Sequence, residues 1–484
     1  MVDISKYLKK KPFVRELVSS TRLEEPQEVD ANSYKEISAP QRVVCEVTQD
    51  DFIAEFDPRS HKINNKKINP DKIIYNEDGK VIGEEKIARV AIGYQKMISM
   101  RQAVHLVGNP PVLTATKDSD NDLFIKYKEY RRLKGIHGAI YLGIKSALDV
   151  GDSAIFFFRD KKGKLRWKVW SYKDGNSICP TYENDGVTLK AFARRYYSII
   201  NGKSVDTVDI INNKTYKTYV KKGVNTISRL DKILDRVGLG TDWEEVSSVS
   251  HGFTQVPVAY HRNEDVAWGD GQELIDTIER ALSDHREANA YFAFGIMFLT
   301  GDIEVLPPKN RQGKTMIGAE GSNASMLTQK EVSGGFKFEF DTYKKELFTL
   351  TGTVVIDPEQ FKGGDITGAA IRNYYNPAIQ YAKDKAPLYY DFLNQIESIT
   401  MEAMGMEYAI STKMKQLNVI SEIDIYVPLN TMEMAQKIMF LRQSGAISAR
   451  TAQEINEYAT PDEVDRMREE AEKELEIQTV TNIE

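Results

Sequence analysis

The chain has 484 residues, 41% apolar and 28% charged, with 65 basic against 71 acidic side chains and a net charge of −6. That is the composition of a folded chain with material for roughly two to four domains, and the missing basic excess counts against tight DNA binding though not against a protein through which DNA merely passes. Cys45 and Cys179 form no CxxC, and the chain shows neither a signal-peptide core nor the roughly 18 uninterrupted apolar residues of a membrane span; this disfavours a disulfide framework, structural zinc and a membrane protein, and predicts synthesis in a reducing cytoplasm.

Residues 1–60 mix charge with short apolar pieces broken by Pro26, Pro40 and Pro58, and read as an extended arm. Ser60 to Gly79 is turn-rich, as in a hairpin or surface loop. Ile87, Val90, Ala91, Tyr94, Met97, Ile98 and Val104 recur at helical spacing, which predicts one helix from Glu84 to Val107, ended by Gly108-Asn-Pro-Pro111. A second helical stretch runs from Phe124 to Leu148. Val150 to Phe158 is β-rich, Asp160-Lys-Lys-Gly163 is a turn and Leu165 to Trp170 alternates, so these pair as a hairpin. Further strands at 188–199, 204–211 and 214–220 complete a mainly antiparallel sheet.

Gly269-Asp-Gly-Gln-Glu273 leads into a helix whose apolar face runs from Leu274 through Ile278, Leu282 and Phe292 to Ile296 and Leu299, with Asp270 and Glu273 at the spacing of a capping box. Residues 303–338 read as strands and turns. Within them Gly313-Lys314-Thr315 suggests a phosphate loop, but Pro308 stands where its first glycine should be and no helical period follows, so no nucleotide site is expected. Tyr343, Leu347 and Leu350 mark a short helix stopped by Gly352. The loop that follows, Thr353 to Asp365, holds Asp357-Pro358 and Gly363-Gly364, with Lys362 its single cation.

From Thr367 an apolar stripe of Ile371, Tyr375, Ala378, Ala382, Tyr389, Phe392, Ile396, Ile399 and Ala403 predicts a helix to Met404, on the order of 55 Å long, bent near Asn373 and Lys383 by Pro377 and Pro387. A strand, Ser421 to Pro428, precedes helices at Thr431–Gln443, Ala449–Tyr458 and from Asp462 to about Glu476, with Ser448 the N-cap of the middle one. His61, His105, His137, His251, His261 and His285 show no metal-ligand spacing, and no catalytic motif opens a helix in the right context. No active site, metal or cofactor is expected.

Four stretches, in order, resemble tailed-bacteriophage portal proteins: His105-Leu-Val-Gly-Asn-Pro-Pro-Val112; Val256-Pro-Val followed by Gly269-Asp-Gly and a helix; Phe361-Lys-Gly-Gly-Asp-Ile-Thr-Gly-Ala-Ala-Ile-Arg372, with Thr367 where Ser is commoner; and the strand, helix, Gly445-Ala-Ile-Ser448, helix, acidic helix of 421–475. The resemblance implies an α+β portal fold: N-terminal arm 1–60, α/β wing 61–268, stem helix 269–300, small β-containing clip 301–339, second stem helix 340–352, tunnel loop 353–366, long kinked helix 367–410, return strand of the wing 411–430, α-helical crown 431–476 and tail 477–484. It further implies a ring of about a dozen copies at one capsid vertex of the virion, a channel for packaging and ejecting double-stranded DNA. Its partners would be the large terminase, a head-completion or adaptor protein, the scaffolding protein and the major capsid protein, with no membrane. On that map Gln360, Lys362, Gly363, Gly364 and Asp365 face DNA, while Lys309, Arg311 and Lys314 in the clip meet terminase or adaptor. Two other readings stay open: a nucleotide-dependent enzyme using Gly313-Lys314-Thr315, separable by ATP hydrolysis, and a cytoplasmic scaffold without DNA, separable by the mass of the assembly.

Overall fold

The computed structural model describes residues 13–15, 45–47, 49–75, 79–116, 120–200, 203–221, 243–292, 296–300, 303–305, 317–318, 323–327, 333–355, 368–426, 431–448, 451–452 and 466–467. The chain divides into two compact units, Met1–Thr353 with Tyr381–Ile425, and Val354–Gln380 with Tyr426–Glu484.

In the first unit, β1 (Phe13–Arg15) pairs with β2 (Cys45–Val47), α1 spans Gln49–Phe56, and β3 (Lys72–Tyr75) forms a hairpin with β4 (Val81–Glu85). The helix predicted from Glu84 begins only at α2, Tyr94–Val107. Residues 86–93 are irregular because side chains distant in sequence take their backbone donors: Val90 N bonds Ser283 Oγ at 2.9 Å and Ile92 N bonds Glu279 Oε1 at 2.7 Å. Strand β5 (Val112–Ala115) then precedes α3 (Asn121–Lys134) and α4 (Ile136–Val150). Asp120 caps α3 by accepting from Asp122 N and Leu123 N, and Gly135, at φ +64°, ends α3 and starts α4 in one residue.

The predicted hairpin is β6 (Asp152–Arg159) with β7 (Leu165–Trp170). The larger sheet uses β8 (Ser177–Tyr182), β9 (Leu189–Ile200), β10 (Lys203–Asn212), β11 (Thr215–Lys221) and β12 (Trp243–Ser250), in the order β12-β11-β10-β9-β8; β13 (Val258–Arg262) adds to β6, giving β13-β6-β7. Strand alternation gives β6 two buried faces. Ile155 and Phe157 lie against α4, where Gly143 lets the helix come so close that an added Cβ would stand 2.9 Å from Ile155 and 3.1 Å from Phe392. On the opposite face Phe156 stacks on Trp170 (4.7 Å between ring centroids) and Tyr216 (5.5 Å), joining the two sheets through one aromatic core.

Helix α5, Gln272–Phe292, is shorter than the expected stem helix 269–300: Gly269–Gly271 is a 3-10 turn, and Ile296–Thr300 is a strand, β14. The apolar positions Ile296 and Leu299 fit a helical period equally well, but pairing with β17 (Asn323–Leu327) decides for strand. Among the described residues Asp270 and Glu273 make no capping-box bond. Strands β15 (Ile303–Val305) and β16 (Ile317–Gly318) form a second short pair. Helix α6 runs Ser333–Leu350, starting before the expected Phe340; Phe336-Lys-Phe-Glu-Phe340, read as strand, is helical. Its aromatic residues four apart lie on one face, Phe336 on His285 of α5 (3.9 Å, 5° between planes) and Phe340 on Phe336.

The long helix is three consecutive pieces: α7 (Gly368–Lys385) with Pro377 inside it, a 3-10 turn Ala386–Tyr389 holding Pro387, and α8 (Tyr390–Glu407). Pro387 therefore breaks the α-helical ladder, a few residues later than the bend expected near Lys383. A short helix, α9 (Ser411–Met414), precedes β18 (Val419–Glu422), which lies across β5; the return strand is thus shorter and earlier than Ser421 to Pro428. In the second unit α10 spans Thr431–Gln443 and ends at Gly445, φ +69°. Ser448 Oγ accepts from Thr451 N at 3.2 Å, the N-cap expected of it, while the helices expected after Ala452 fall outside the described residues apart from helical turns at 466–467. The chain is an α+β protein.

Candidate channel element

The end of α6, where the chain turns toward the Gly363-Gly364 segment, is built from local chemistry first. Gly352 takes φ +56°, the left-handed position that stops a helix, with Thr353 N bonded to Phe348 O (2.8 Å) and Gly352 N to Thr349 O (3.2 Å). Thr351 Oγ1 donates to Leu347 O at 2.8 Å and lies 2.9 Å from Thr353 Oγ1.

Three long-range contacts then fix this cap. Gln102 of α2, buried, donates through Nε2 to Thr351 O (2.8 Å) and Ala267 O (3.1 Å), so one amide ties the cap to the strand-to-α5 connection. Tyr381 presses on Gly352 so closely that an added Cβ would lie 2.8 Å from the Cβ of Tyr381. Burial pushes the Tyr381 phenol up to about 12, opposed by its hydrogen bond with Gln102. At Gly271 an added Cβ would stand 2.4 Å from Leu347 and 3.2 Å from Thr351, so glycine there sets how near the start of α5 comes to α6. In the second unit the Tyr374 hydroxyl donates to Val355 O at 2.8 Å, just before the segment begins.

Farther along α5, buried Glu279 accepts from His61 Nδ1 and Ile92 N, each at 2.7 Å. Asp149, Asp152, Asp209 and Glu397 are buried in the first unit as well. Burial raises Asp152 to about 8, against the Tyr260 hydroxyl that donates to it at 3.1 Å and nearby Arg262. Glu397 is likewise raised by burial, with Arg131 at 2.8 Å opposing. Glu279, Asp152 and Glu397 each meet a histidine, tyrosine, arginine or backbone donor through at least one oxygen, and among the described residues no group of three or more His, Cys, Asp or Glu could hold a metal ion. Among the described residues no helix is long and apolar enough to cross a membrane.

The residues singled out from sequence, Gln360, Lys362, Gly363, Gly364 and Asp365 in the loop and Lys309, Arg311 and Lys314 between β15 and β16, all lie outside the described residues. The structure instead supplies their frame. Gln102, Tyr381 and Tyr374 were not expected. A signal for the first was present: Gln95, Ser99 and Gln102 repeat at four and three residues on α2 and are all buried, a polar stripe that must find internal partners. Gln95 finds Gln272 at 3.0 Å. Histidines behave as structural groups, His261 bonding Asn263 at 2.8 Å and packing on Tyr389.

An α+β chain in which two helices flank a small β module, and the second of them is capped beside a long broken helix, is the architecture of a portal protein. Residues 52–476 match the family described as "Phage portal protein, SPP1 Gp6-like", and the chain belongs to that family. Among solved structures it is similar, at 12% identity, to a chain of the virion of a native gene transfer agent (GTA) particle, with 74% of this chain and 86% of that chain covered and a TM-score of 0.38. Chains of the neck of the empty GTA particle (C6 symmetry) and of the native particle (C12 symmetry) are similar at 12% identity, each over 76% of this chain and 90% of that one, with TM-scores of 0.36 and 0.37. No curated protein matches.

Proposed function

We propose that the chain assembles as a ring of about a dozen copies at one capsid vertex, made in the host cytoplasm and carried in the virion. Double-stranded DNA is packaged and ejected through its centre. The segment 353–366 acts as the tunnel loop, with Gln360, Lys362, Gly363, Gly364 and Asp365 toward the DNA. Lys309, Arg311 and Lys314 in the clip take part in docking the large terminase during packaging and a head-completion protein afterwards, and the wing and crown meet scaffolding and major capsid protein. The observation that carries this reading is the α6 cap: Gln102 and Tyr381 hold fast the chain that leads into a segment whose sequence combines Gly363-Gly364 with a single cation. A loop that must yield to passing DNA without detaching needs a rigid base of that kind. With Lys362 set among Asp357, Glu359 and Asp365, contact with phosphates is weak and screened by salt, which lets DNA slide.

Two measurements test the proposal. Native mass spectrometry of the full chain, 55.0 kDa per copy, is expected to show about a dozen copies; a monomer with and without scaffolding protein overturns the ring. In packaging reactions Lys362→Ala is expected to assemble normally yet alter packaging or retention of DNA, and Gly363→Pro to harm it more. Parental rates with both variants overturn the loop assignment.

A further inference from the structure

In a chain of net charge −6, the ten residues Arg159 to Lys168 carry six basic side chains, Arg159, Lys161, Lys162, Lys164, Arg166 and Lys168, against the single acid Asp160. They form the β6–β7 hairpin tip, and all six are exposed. Asp160 does not neutralise them. Its carboxylate accepts from Lys162 N at 2.9 Å and Lys164 N at 3.0 Å, which fixes the turn, and touches only Arg166 at 3.4 Å. Arg159 braces the turn from the other side, its Nε donating to Gly163 O at 3.1 Å. The neighbouring acids are committed as well: Glu407 accepts from Tyr130, Lys134 and Leu165 N, and Glu402 from Thr254 N and Gln255. Among the described residues none pairs with the ammonium groups of Lys161, Lys162, Lys164 or Lys168.

A rigid turn that fans out unpaired cations calls for an anion with repeated charges. Arg166 and Lys168 share one face of β7, about 6.7 Å apart, close to twice the 3.4 Å rise per phosphate along one DNA strand. An acidic protein partner would need an apolar or aromatic anchor, since charge alone gives on-rate rather than residence. Within the hairpin, from 152 to 170, no large apolar side chain is exposed; the exposed Leu133 and Tyr408 belong to the neighbouring elements, next to Lys134 and Glu407 that bond Trp167 and Leu165. We propose that the β6–β7 hairpin is a sequence-independent contact for the phosphate backbone of double-stranded DNA, separate from the tunnel loop and independent of it.

The test is fluorescence anisotropy of a random-sequence 30-base-pair duplex against the full chain across a salt series, with native mass recorded for every variant. Lys161→Glu, Lys162→Glu and Lys164→Glu together are expected to lower affinity at least tenfold and to flatten the plot of log affinity against log salt by about 2.7, at about 0.9 per lost phosphate contact. The neutral triple Lys161→Gln, Lys162→Gln, Lys164→Gln, gentler on folding, should show the same direction. A control triple, Lys67→Glu, Lys86→Glu and Lys214→Glu, makes the same change in net charge at scattered exposed sites and should leave affinity within twofold. Equal loss in both glutamate triples, or no duplex binding by the parent at low salt, overturns the proposal. Binding of poly-L-glutamate in preference to the duplex overturns it in favour of an acidic protein partner.

Discussion

Gly352 and Tyr381 are in contact at a distance that no other residue at 352 permits: the cap is left-handed at φ +56°, and the space a side chain would fill is already occupied by the Tyr381 ring and Cβ. Gly352→Ala therefore combines left-handed strain of about 1 kcal/mol with overpacking of about 1–3 kcal/mol. We expect a lower denaturant midpoint with an unchanged slope. Tyr381→Ala in the same chain should return part of the loss, because it removes the ring atoms from the clash while the Cβ at 381 and the strain remain; no recovery would mean that the ring is not what opposes a side chain at 352.

Gln102→Leu keeps the volume of the side chain, strips the Ala267 carbonyl of the Gln102 donor and leaves Thr351 O only the longer bond from Thr353 Oγ1 at 3.4 Å. An unsatisfied buried acceptor costs about 1–3 kcal/mol and the second is only weakened, so chemical denaturation should report roughly 1–4 kcal/mol. Hydrogen exchange should quicken at the α6 cap more than in the β6–β7 hairpin; uniform quickening would make the amide an ordinary core group.

Gly143 is a second place where a missing side chain sets a distance. Gly143→Ala should destabilise by about 1–3 kcal/mol, and Ile155→Val should partly relieve it, since the obstructing atom is the end of the isoleucine side chain. A double-mutant cycle with no coupling would show that α4 moves away from β6 as a whole.

Asp152 carries a pH dependence whose sign follows from its raised titration. Unfolded, the carboxyl ionises near 3.8; folded, it holds its proton until about 8. Between those values the folded state binds the extra proton, so this group's contribution to stability falls as pH rises, by up to about 1.4 kcal/mol per pH unit, and levels off above about 8. Asp152→Asn keeps an acceptor for Tyr260 and abolishes the effect. Its stability relative to the parent should therefore climb from pH 4 to 8; a flat difference would show that Asp152 ionises normally in the fold.

The sequence disclosed what periodicity and punctuation encode. The β6–β7 hairpin was legible from alternation around Asp160-Lys-Lys-Gly163, the end of α6 from Gly352, and the N-cap from Ser448. Failures came where a distant group outvoted a local pattern. Ile87, Val90 and Ala91 fit a helical face, but Ser283 and Glu279 hold that backbone irregular; Ile296 and Leu299 fit a helix too, and are drawn into a strand by Asn323–Leu327. Phe336 to Phe340 read as strand as well, yet α6 already starts at Ser333, and Phe336 stacks on His285 of α5. At the candidate site the capping glycine was visible in advance and the spacing of Gln95, Ser99 and Gln102 carried a signal of a buried polar stripe, but what Gln102 and Tyr381 meet was not legible, because their partners are backbone atoms and a missing side chain, which leave no mark of their own in a pattern of residue types.

The strip from His61 to Ile92 docks on α5 through contacts that span 187 to 218 residues of sequence, from Ile92 to Glu279 and from His61 to the same carboxylate. During synthesis, at about 5–20 residues per second, that strip emerges from the ribosome some 10 to 40 seconds before its partner helix exists. His61 and the irregular backbone around Val90 have no local structure to occupy in the meantime. This part of the first unit can therefore close only after α5 has left the exit tunnel, and a chain stalled between residues 100 and 270 would expose this strip to chaperones and proteases.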